Sequence, residues 1–336
     1  MFGFVNAADP AYAVLKRECE LRLGSPSQCF DAAKITNPKK ATPGYFLNVL
    51  LKVNAKLGGV NHHAPDSLPA VLRAKPTLVL GADVYHDPAA GRRSHSAFVG
   101  SHDAAATQYG GVVQQQGSRE ECVPFANAKR AAKYFILEYM RFTKTTTPPA
   151  QIVYLRDGVS DRQVLAVIES EVAAILAAAE EVKPGYVPQL LALTAVKRHH
   201  VRFSGISSDA IDKSGNLQSG TVVDTEVVRP DLNEFFLFGH AGLKGTSRPC
   251  LYQVIYNGTA YDMDAAQELV FYLSHLHQRA SRAVSLPAPV YYAHLLAYRA
   301  RYYAGKYAAT GGERDVDGAW GTNSLVPALM PMPFYL

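Results

Sequence analysis

Two apolar runs that each finish in an aspartate constrain this chain more than any other feature: PTLVLGADV, with Asp83, and QIVYLRD, ending at Asp157. Continuous apolar runs of this length suit strands buried on both faces, and PQLLALTAV at 188–196 is a third. Where such strands run parallel as neighbours, their carboxyl ends put both aspartates in one crevice, the place where ligands bind in open α/β sheets. Two carboxylates there repel and hold protons more tightly unless a cation lies between them. Mg²⁺ or Mn²⁺ suits an all-oxygen site of that type. Taken singly, either aspartate also has an ordinary reading, as the start of a turn or the cap of a helix.

The rest of the chain supplies a setting for these strands. Its 336 residues suit one large or two modest domains. Apolar residues make up 48% and charged residues 19%, enough for a sizeable core and against disorder. The net charge of +5 permits nucleic-acid binding without implying it. The four cysteines, at 19, 29, 122 and 250, form no CxxC pair, and no histidine pattern completes a zinc site. The simplest expectation is a reduced, intracellular chain, cytoplasmic with a nuclear pool. No basic stretch followed by an apolar core opens the chain, and no apolar run approaches the roughly 20 residues of a spanning helix, so no membrane partner is expected.

Periodicity predicts helices over 11–22 and 44–56, then a Gly- and Pro-rich connector over 58–75. SAFVGS and GGVVQQQ read as hairpin strands and 126–142 as a helix. Asp161 is expected to cap the next helix, with Val164, Ile168, Val172, Ile175 and Ala179 as its apolar stripe. TVVDTEVV, NEFFLFGHA and PCLYQVIYN read as strands, 263–279 and 290–304 as helices, and 305–325 as a mobile loop. Strands alternating with helices point to an α/β layer structure with a partly parallel sheet.

Six motifs surround the aspartates in order: GADVYH at 81–86, YLRDGVS at 154–160, KRHH at 197–200, KSGN at 213–216, HAGLKGTSRP at 240–249 and SLPAPVYYAHLLAYRARYY at 285–303. Together they closely resemble the PIWI domain of eukaryotic Argonautes, over nearly the whole chain from about residue 8 to 304. The resemblance implies a ribonuclease H-like PIWI domain at 76–336, preceded by a truncated Rossmann-like MID segment at 1–57 and a linker at 58–75. It also implies cleavage of RNA opposite a bound guide strand, with two divalent ions, Mg²⁺ or Mn²⁺, as cofactors. By resemblance, Asp83 and Asp157 are the catalytic aspartates and His294 the catalytic histidine, these three being the metal ligands. The fourth catalytic residue is a glutamate on the loop after the second hairpin strand. Counting from Gly100-Ser101 lands on Glu121 in QQQGSREEC, with Glu120 as the alternative. Without its motif, His294 would read as a hydrogen-bonded helix histidine.

A second constellation opens the chain. Tyr12 and Lys16 stand four apart on one helix, and Lys52 and Lys56 four apart on another, with Gln28 between them. A lysine pair alone is an ordinary solvated face. The set resembles the MID pocket for a guide's 5′-phosphate, which implies that Tyr12 stacks on the first base and that Lys16, Gln28, Lys52 and Lys56 bind the phosphate. Arg299 joins them by the same resemblance. It lies five residues after His294, about 140° around the helix, so the two should point apart. Arg279, Ser285 and Tyr291 match residues that hold the guide backbone, and Lys197, Arg198, His200 and Arg202 form a basic cluster expected to track guide phosphates. His199 and His200, adjacent on a strand, do not suit a metal pair.

By the resemblance, the match begins partway through the MID domain, with MFGFVNAADP as a strand leading to Tyr12, and the 336 residues include no PAZ or N-terminal domain; a fragment, an incomplete gene and a shortened natural protein are three readings of this. Weaker guide retention than in a full-length relative is the expectation. The final PMPFYL resembles the aromatic finish of family members and is expected to be the authentic C-terminus. Three functions compete: a small-RNA-guided nuclease acting on target or passenger RNA, a slicing-inactive guide-binding silencing module that recruits partner proteins, and an unguided nuclease. The last leaves Tyr12, Lys16, Lys52, Lys56 and Arg299 unexplained.

Overall fold

The predicted buried runs do form neighbouring strands. In the computed structural model, which describes residues 1–5, 10–88, 91–242, 245–303 and 325–336, the chain opens with β1 (Phe2–Val5), α1 (Pro10–Glu18) and β2 (Gln28–Asp31). Helices α2 (Ala32–Ile35) and α3 (Pro43–Lys56) follow, then α4 (Ala70–Ala74). β1 and β2 pair parallel as a small two-stranded sheet. Thr42 caps α3 by accepting a hydrogen bond from the Tyr45 amide at 3.3 Å, as short hydroxyl side chains do at helix starts. The expected helix over 11–22 is α1 continued by a π-helical turn, Cys19–Leu23, that ends where Gly24 adopts a positive φ of 60°. The stretch read as a connector contains α4, whose Val71 and Leu72 are buried in the main core.

β3 (Thr77–Tyr85), β4 (Ser94–Ser101), β5 (Tyr109–Gln116), α5 (Phe125–Thr143), β6 (Gln151–Asp157), α6 (Val164–Val167), α7 (Ala173–Val182) and β7 (Gln189–Val196) follow. The chain then adds β8 (Val222–Val223), β9 (Glu234–Leu237), β10 (Cys250–Asn257), α8 (Met263–Ser274) and α9 (Ala288–Ala300). Among the described residues the sheet has eight strands in the order β5-β4-β3-β6-β7-β10-β9-β8. β3, β6 and β7 run parallel at its centre, and antiparallel strands flank them.

Each face of the sheet carries its own helical layer. Gly100 pairs with Leu80, and a Cβ there would lie 2.4 Å from the Phe135 ring of α5. Gly81, one residue along and therefore on the other face, lies under α9: a Cβ would come within 2.4 Å of the Pro289 carbonyl oxygen. Glycine lets α9 sit directly on β3, on the face that Asp83 also shares.

Four elements differ from expectation. Ser160, not Asp161, starts the helix after β6: Ser160 and Gln163 form a reciprocal capping pair, while Asp161 pairs with Arg229 at 2.7 Å. The expected stripe is also broken. A π-helical turn, Ile168–Val172, lies between α6 and α7; Val167 and Glu171 are buried, while Val164 and Ile168 are half-buried. TVVDTEVV holds only the two-residue β8, because Glu226 turns the chain with a φ of 60°. The helix predicted over 263–279 stops at Ser274, whose hydroxyl donates back to the Phe271 carbonyl at 2.7 Å. Of the stretch 305–325, residues 305–324 lie outside the described residues; Leu325 is buried. Among the described residues no helix is long and apolar enough to cross a membrane.

Candidate active site and phosphate pocket

The parallel register of β3 and β6 pairs Ala82 with Arg156, so the next residues, Asp83 and Asp157, stand level on one face. α9 lies over that face and brings His294 to them. His294 Nδ1 is 3.1 Å from Asp83 Oδ2 and 3.9 Å from Asp157 Oδ2. One ligand atom from each of the three residues falls within 4.8 Å of the others. Burial, reinforced by the Asp83 charge, pushes the Asp157 carboxyl up to about 7. The hydrogen bond to Asp83 raises the His294 pKa. Two carboxylates and an imidazole that crowd in this way suit a divalent cation bound mainly through oxygen.

Alternation sends Arg156 to the opposite face, where it is fully buried. Its Nη2 donates to Glu121 Oε1 at 3.0 Å and to the Glu121 carbonyl at 2.6 Å, and its Nη1 donates to the Asp157 carbonyl. Glu121 Oε2 accepts from His86 Nε2 at 2.8 Å, and His86 Nδ1 lies 2.7 Å from the Ser94 hydroxyl. The neighbouring Glu120 is exposed and accepts from the Gly117 amide of its own turn at 2.9 Å. Only Glu121 of the two is directed toward the strand that carries Asp157.

The pocket assembles around one backbone oxygen. Lys16 Nζ from α1 and Lys56 Nζ from α3 both donate to the Ser27 carbonyl, at 2.7 and 2.9 Å. Lys16 also donates to the Ser27 hydroxyl at 2.9 Å and Lys56 to Gln28 Oε1 at 2.9 Å. The Tyr12 ring faces them, its centroid 5.7 Å from Lys16 Nζ and 5.9 Å from the Arg299 guanidinium carbon. Arg299 donates to Glu20 Oε1 at 2.7 Å, and Glu20 Oε2 accepts from the Tyr303 hydroxyl at 2.5 Å. That carboxylate is therefore already engaged. Burial and the neighbouring Arg299 lower Lys16 to about 8. Burial and Arg279 lower Lys52 to about 8 as well. Lys56 is pushed well below the ordinary lysine value by burial and by Lys16. An anion would relieve this crowding of positive charge.

His294 and Arg299 do point apart on α9, the one toward Asp83 and the other toward Glu20. Among the residues expected to hold the guide backbone, Lys197 donates to the Ser285 hydroxyl at 2.6 Å, and Arg198 lies close enough to His294 to oppose its protonation. Arg279 stands by Lys52, and the Tyr291 ring lies 4.5 Å from that of His277. His200 is exposed. The Arg202 guanidinium folds back on the His199 and Val201 carbonyls at 3.0 and 2.7 Å. His199 is occupied against Phe236 and the Pro249 carbonyl. Asn216 ties two of the six motifs together, accepting from the Ser247 amide at 2.8 Å and donating to the Gly245 carbonyl at 3.0 Å.

Sequence reading missed His86, Arg156, Glu171 and Glu20. Arg156 had a signal available: a charge inside an apolar strand must be buried with a partner. Nothing in the sequence says which partner.

The Piwi domain family matches residues 1–304. The C-terminal lobe of a budding yeast Argonaute superposes with a TM-score of 0.89 at 28% identity, covering 100% of this chain and 69% of that one. The Kluyveromyces polysporus Argonaute, solved with a guide RNA, gives the same TM-score and identity, with 100% and 39% covered. Drosophila Piwi shares the fold, with a TM-score of 0.76 at 19% identity, 100% of this chain and 42% of that one. With the central parallel strands, the flanking hairpin and the family match over most of its length, the chain belongs to the Piwi domain family, as an Argonaute-type MID–PIWI protein with a ribonuclease H-like sheet.

Proposed function

We propose that this chain holds the 5′-phosphorylated end of a small guide RNA and cuts target or passenger RNA paired to it. The observation that carries the reading is the double role of α9: its His294 meets Asp83 and Asp157, and its Arg299 meets the lysine pocket. Segment 1–57 then serves as the pocket, 58–75 as the connector and 76–336 as the cutting domain. The spacing from pocket to crevice is built into one helix, so a strand anchored by its end is presented in a set place.

Asp83, Asp157 and His294 would hold the metal ions, Mg²⁺ or Mn²⁺. When bound, two such ions activate water and stabilise the leaving oxygen of a phosphodiester. The chain's own contribution is to keep both carboxylates level, to supply an imidazole nitrogen from His294 and to present Glu121, which Arg156 and His86 steer. Tyr12 offers a face to the first base, and Lys16, Gln28, Lys52, Lys56 and Arg299 offer donors to the phosphate. Lys197, Arg198, His200, Arg279, Ser285 and Tyr291 are proposed to hold the guide backbone. Both relatives near 28% identity are longer than this chain, which spans 69% and 39% of them. Silencing-complex partner proteins belong to the same proposal, as does a cytoplasmic location with a nuclear pool.

A cleavage assay with 5′-phosphorylated guide, paired RNA and Mg²⁺ tests the reading. Cleavage lost on Asp157→Ala is the expected result. Activity indifferent to that substitution would overturn it, and tight guide binding with no cleavage by the unaltered chain would favour the partner-recruiting module instead.

A further inference from the structure

Between the crevice and the second helical layer lies a buried polar junction that the cleavage chemistry does not touch. At its centre is Glu171, fully buried in the π-helical turn Ile168–Val172. Three donors converge on its two oxygens. Oε1 accepts from the Val123 amide at 2.8 Å, both oxygens accept from Arg156 Nε at 3.2–3.3 Å, and Oε2 accepts from the Tyr154 hydroxyl. One residue earlier, the Ser170 hydroxyl donates to the Val123 carbonyl at 2.6 Å. The turn therefore grips both backbone polar groups of a single residue, and that residue stands two positions after Glu121.

From this geometry we infer that Glu171 is a positioning residue for Glu121. The inference rests on the reading that Glu121 completes the cleavage site. Glu171 acts along two routes. Through Val123 it pins the end of the arm 117–123. Through Arg156 it orients the guanidinium that holds the carboxylate and carbonyl of Glu121 on one side and the carbonyl of Asp157 on the other. Arg156 is a buried cation joined to two carboxylates, Glu121 at 3.0 Å and Glu171 at 3.2 Å. Removing the Glu171 charge leaves the guanidinium free to draw Glu121 inward as its only counter-charge of the two, which changes where that carboxylate sits. The π turn thus links the second helical layer to the arm that bears Glu121.

Glu171→Gln keeps the side-chain volume but leaves one acceptor oxygen for three donors. Ser170→Ala removes only the bond to the Val123 carbonyl and keeps the Arg156 pair, so it serves if Glu171→Gln fails to fold. Two measurements on the full chain decide. Hydrogen exchange at the Val123 amide, without RNA or metal, should accelerate in either variant. Guided cleavage by Glu171→Gln should fall about 10- to 100-fold, the usual range for groups that orient a metal site from behind. The same substitution in a Glu121→Gln background should change the rate by less than about 2-fold, since residues acting as a unit are not additive. A general loss of folding would instead lower both backgrounds equally, and that result overturns the route through Glu121. Unchanged Val123 exchange in both variants overturns the clamp whatever the cleavage rates. Should the unaltered chain cut nothing, Val123 exchange still decides the clamp, and the cleavage reading alone fails.

Discussion

The crevice and the pocket are built on opposite electrostatic plans. Asp83 and Asp157 crowd negative charge at the end of β3 and β6, and the Asp157 carboxyl rises to about 7. Lys16, Lys52 and Lys56 crowd positive charge between α1 and α3, and Lys16 and Lys52 fall to about 8. In each place burial is the largest cause and the like charge adds to it. Such sites are costly when empty and relieved by a ligand of opposite sign. They differ in how the charges are held. The aspartates sit on adjacent parallel strands whose register sets them level. Lys16 and Lys56 reach from separate helices to a shared carbonyl, that of Ser27, and their positions depend on those hydrogen bonds. One site is positioned by backbone pairing, the other by side-chain bonds, and α9 touches both.

Each half of that comparison can be broken separately. The largest effect is expected at the strand site: Asp83→Ala should lower guided cleavage on the order of 10³-fold or more, while binding of 5′-phosphorylated RNA changes by less than about 2-fold. Parallel loss of binding would show that the two sites are not independent. Next, Lys56→Ala should weaken that binding about 10- to 100-fold and abolish the advantage of a 5′-phosphate over a 5′-hydroxyl, as filter binding would report. Gly81→Ala should affect both sites together, because the added Cβ meets the Pro289 carbonyl and displaces α9. A stability loss of about 1–3 kcal/mol by denaturant titration is expected, with cleavage and phosphate preference both reduced.

Smaller effects test the pocket alone. Lysines lowered to about 8 lose their charge above that pH rather than near 10.5. Phosphate preference should therefore hold below pH 8 and decline several-fold as pH rises above it. Bound phosphate favours the charged lysines, so the decline moves to higher pH as RNA saturates the site. A preference flat to pH 10 would sink this account. The smallest change is expected for Arg202→Ala, under about 2-fold in binding, because that guanidinium is turned onto its own backbone carbonyls. A large loss there would return Arg202 to the guide path and alter the picture of the pocket.

Much was legible before any coordinates. An apolar run ending in aspartate states both a buried strand and the place of its carboxylate, because side-chain alternation and strand ends are local properties. The spacing of His294 and Arg299 likewise determined that they face apart, since helical rotation is the same everywhere. What the sequence could not determine depends on contacts across space. Glu120 and Glu121 are chemically identical neighbours, and only the approach of Arg156 and His86 separates them. Glu171 is a buried carboxylate in a helix that periodicity read only for its apolar stripe, and what holds it lies in Val123, Tyr154 and Arg156, 15 to 48 residues away along the chain. The basic cluster after β7 read as one group, yet Lys197 reaches Ser285 while Arg202 turns back on its own segment. Sequence alone determined the central buried strands and the opposite facing of His294 and Arg299, since these follow from local period, while the lysine set was legible only through the family resemblance. Tertiary structure alone decided which of the two glutamates Arg156 and His86 hold, because a buried charge takes whichever partner the fold brings within hydrogen-bond reach.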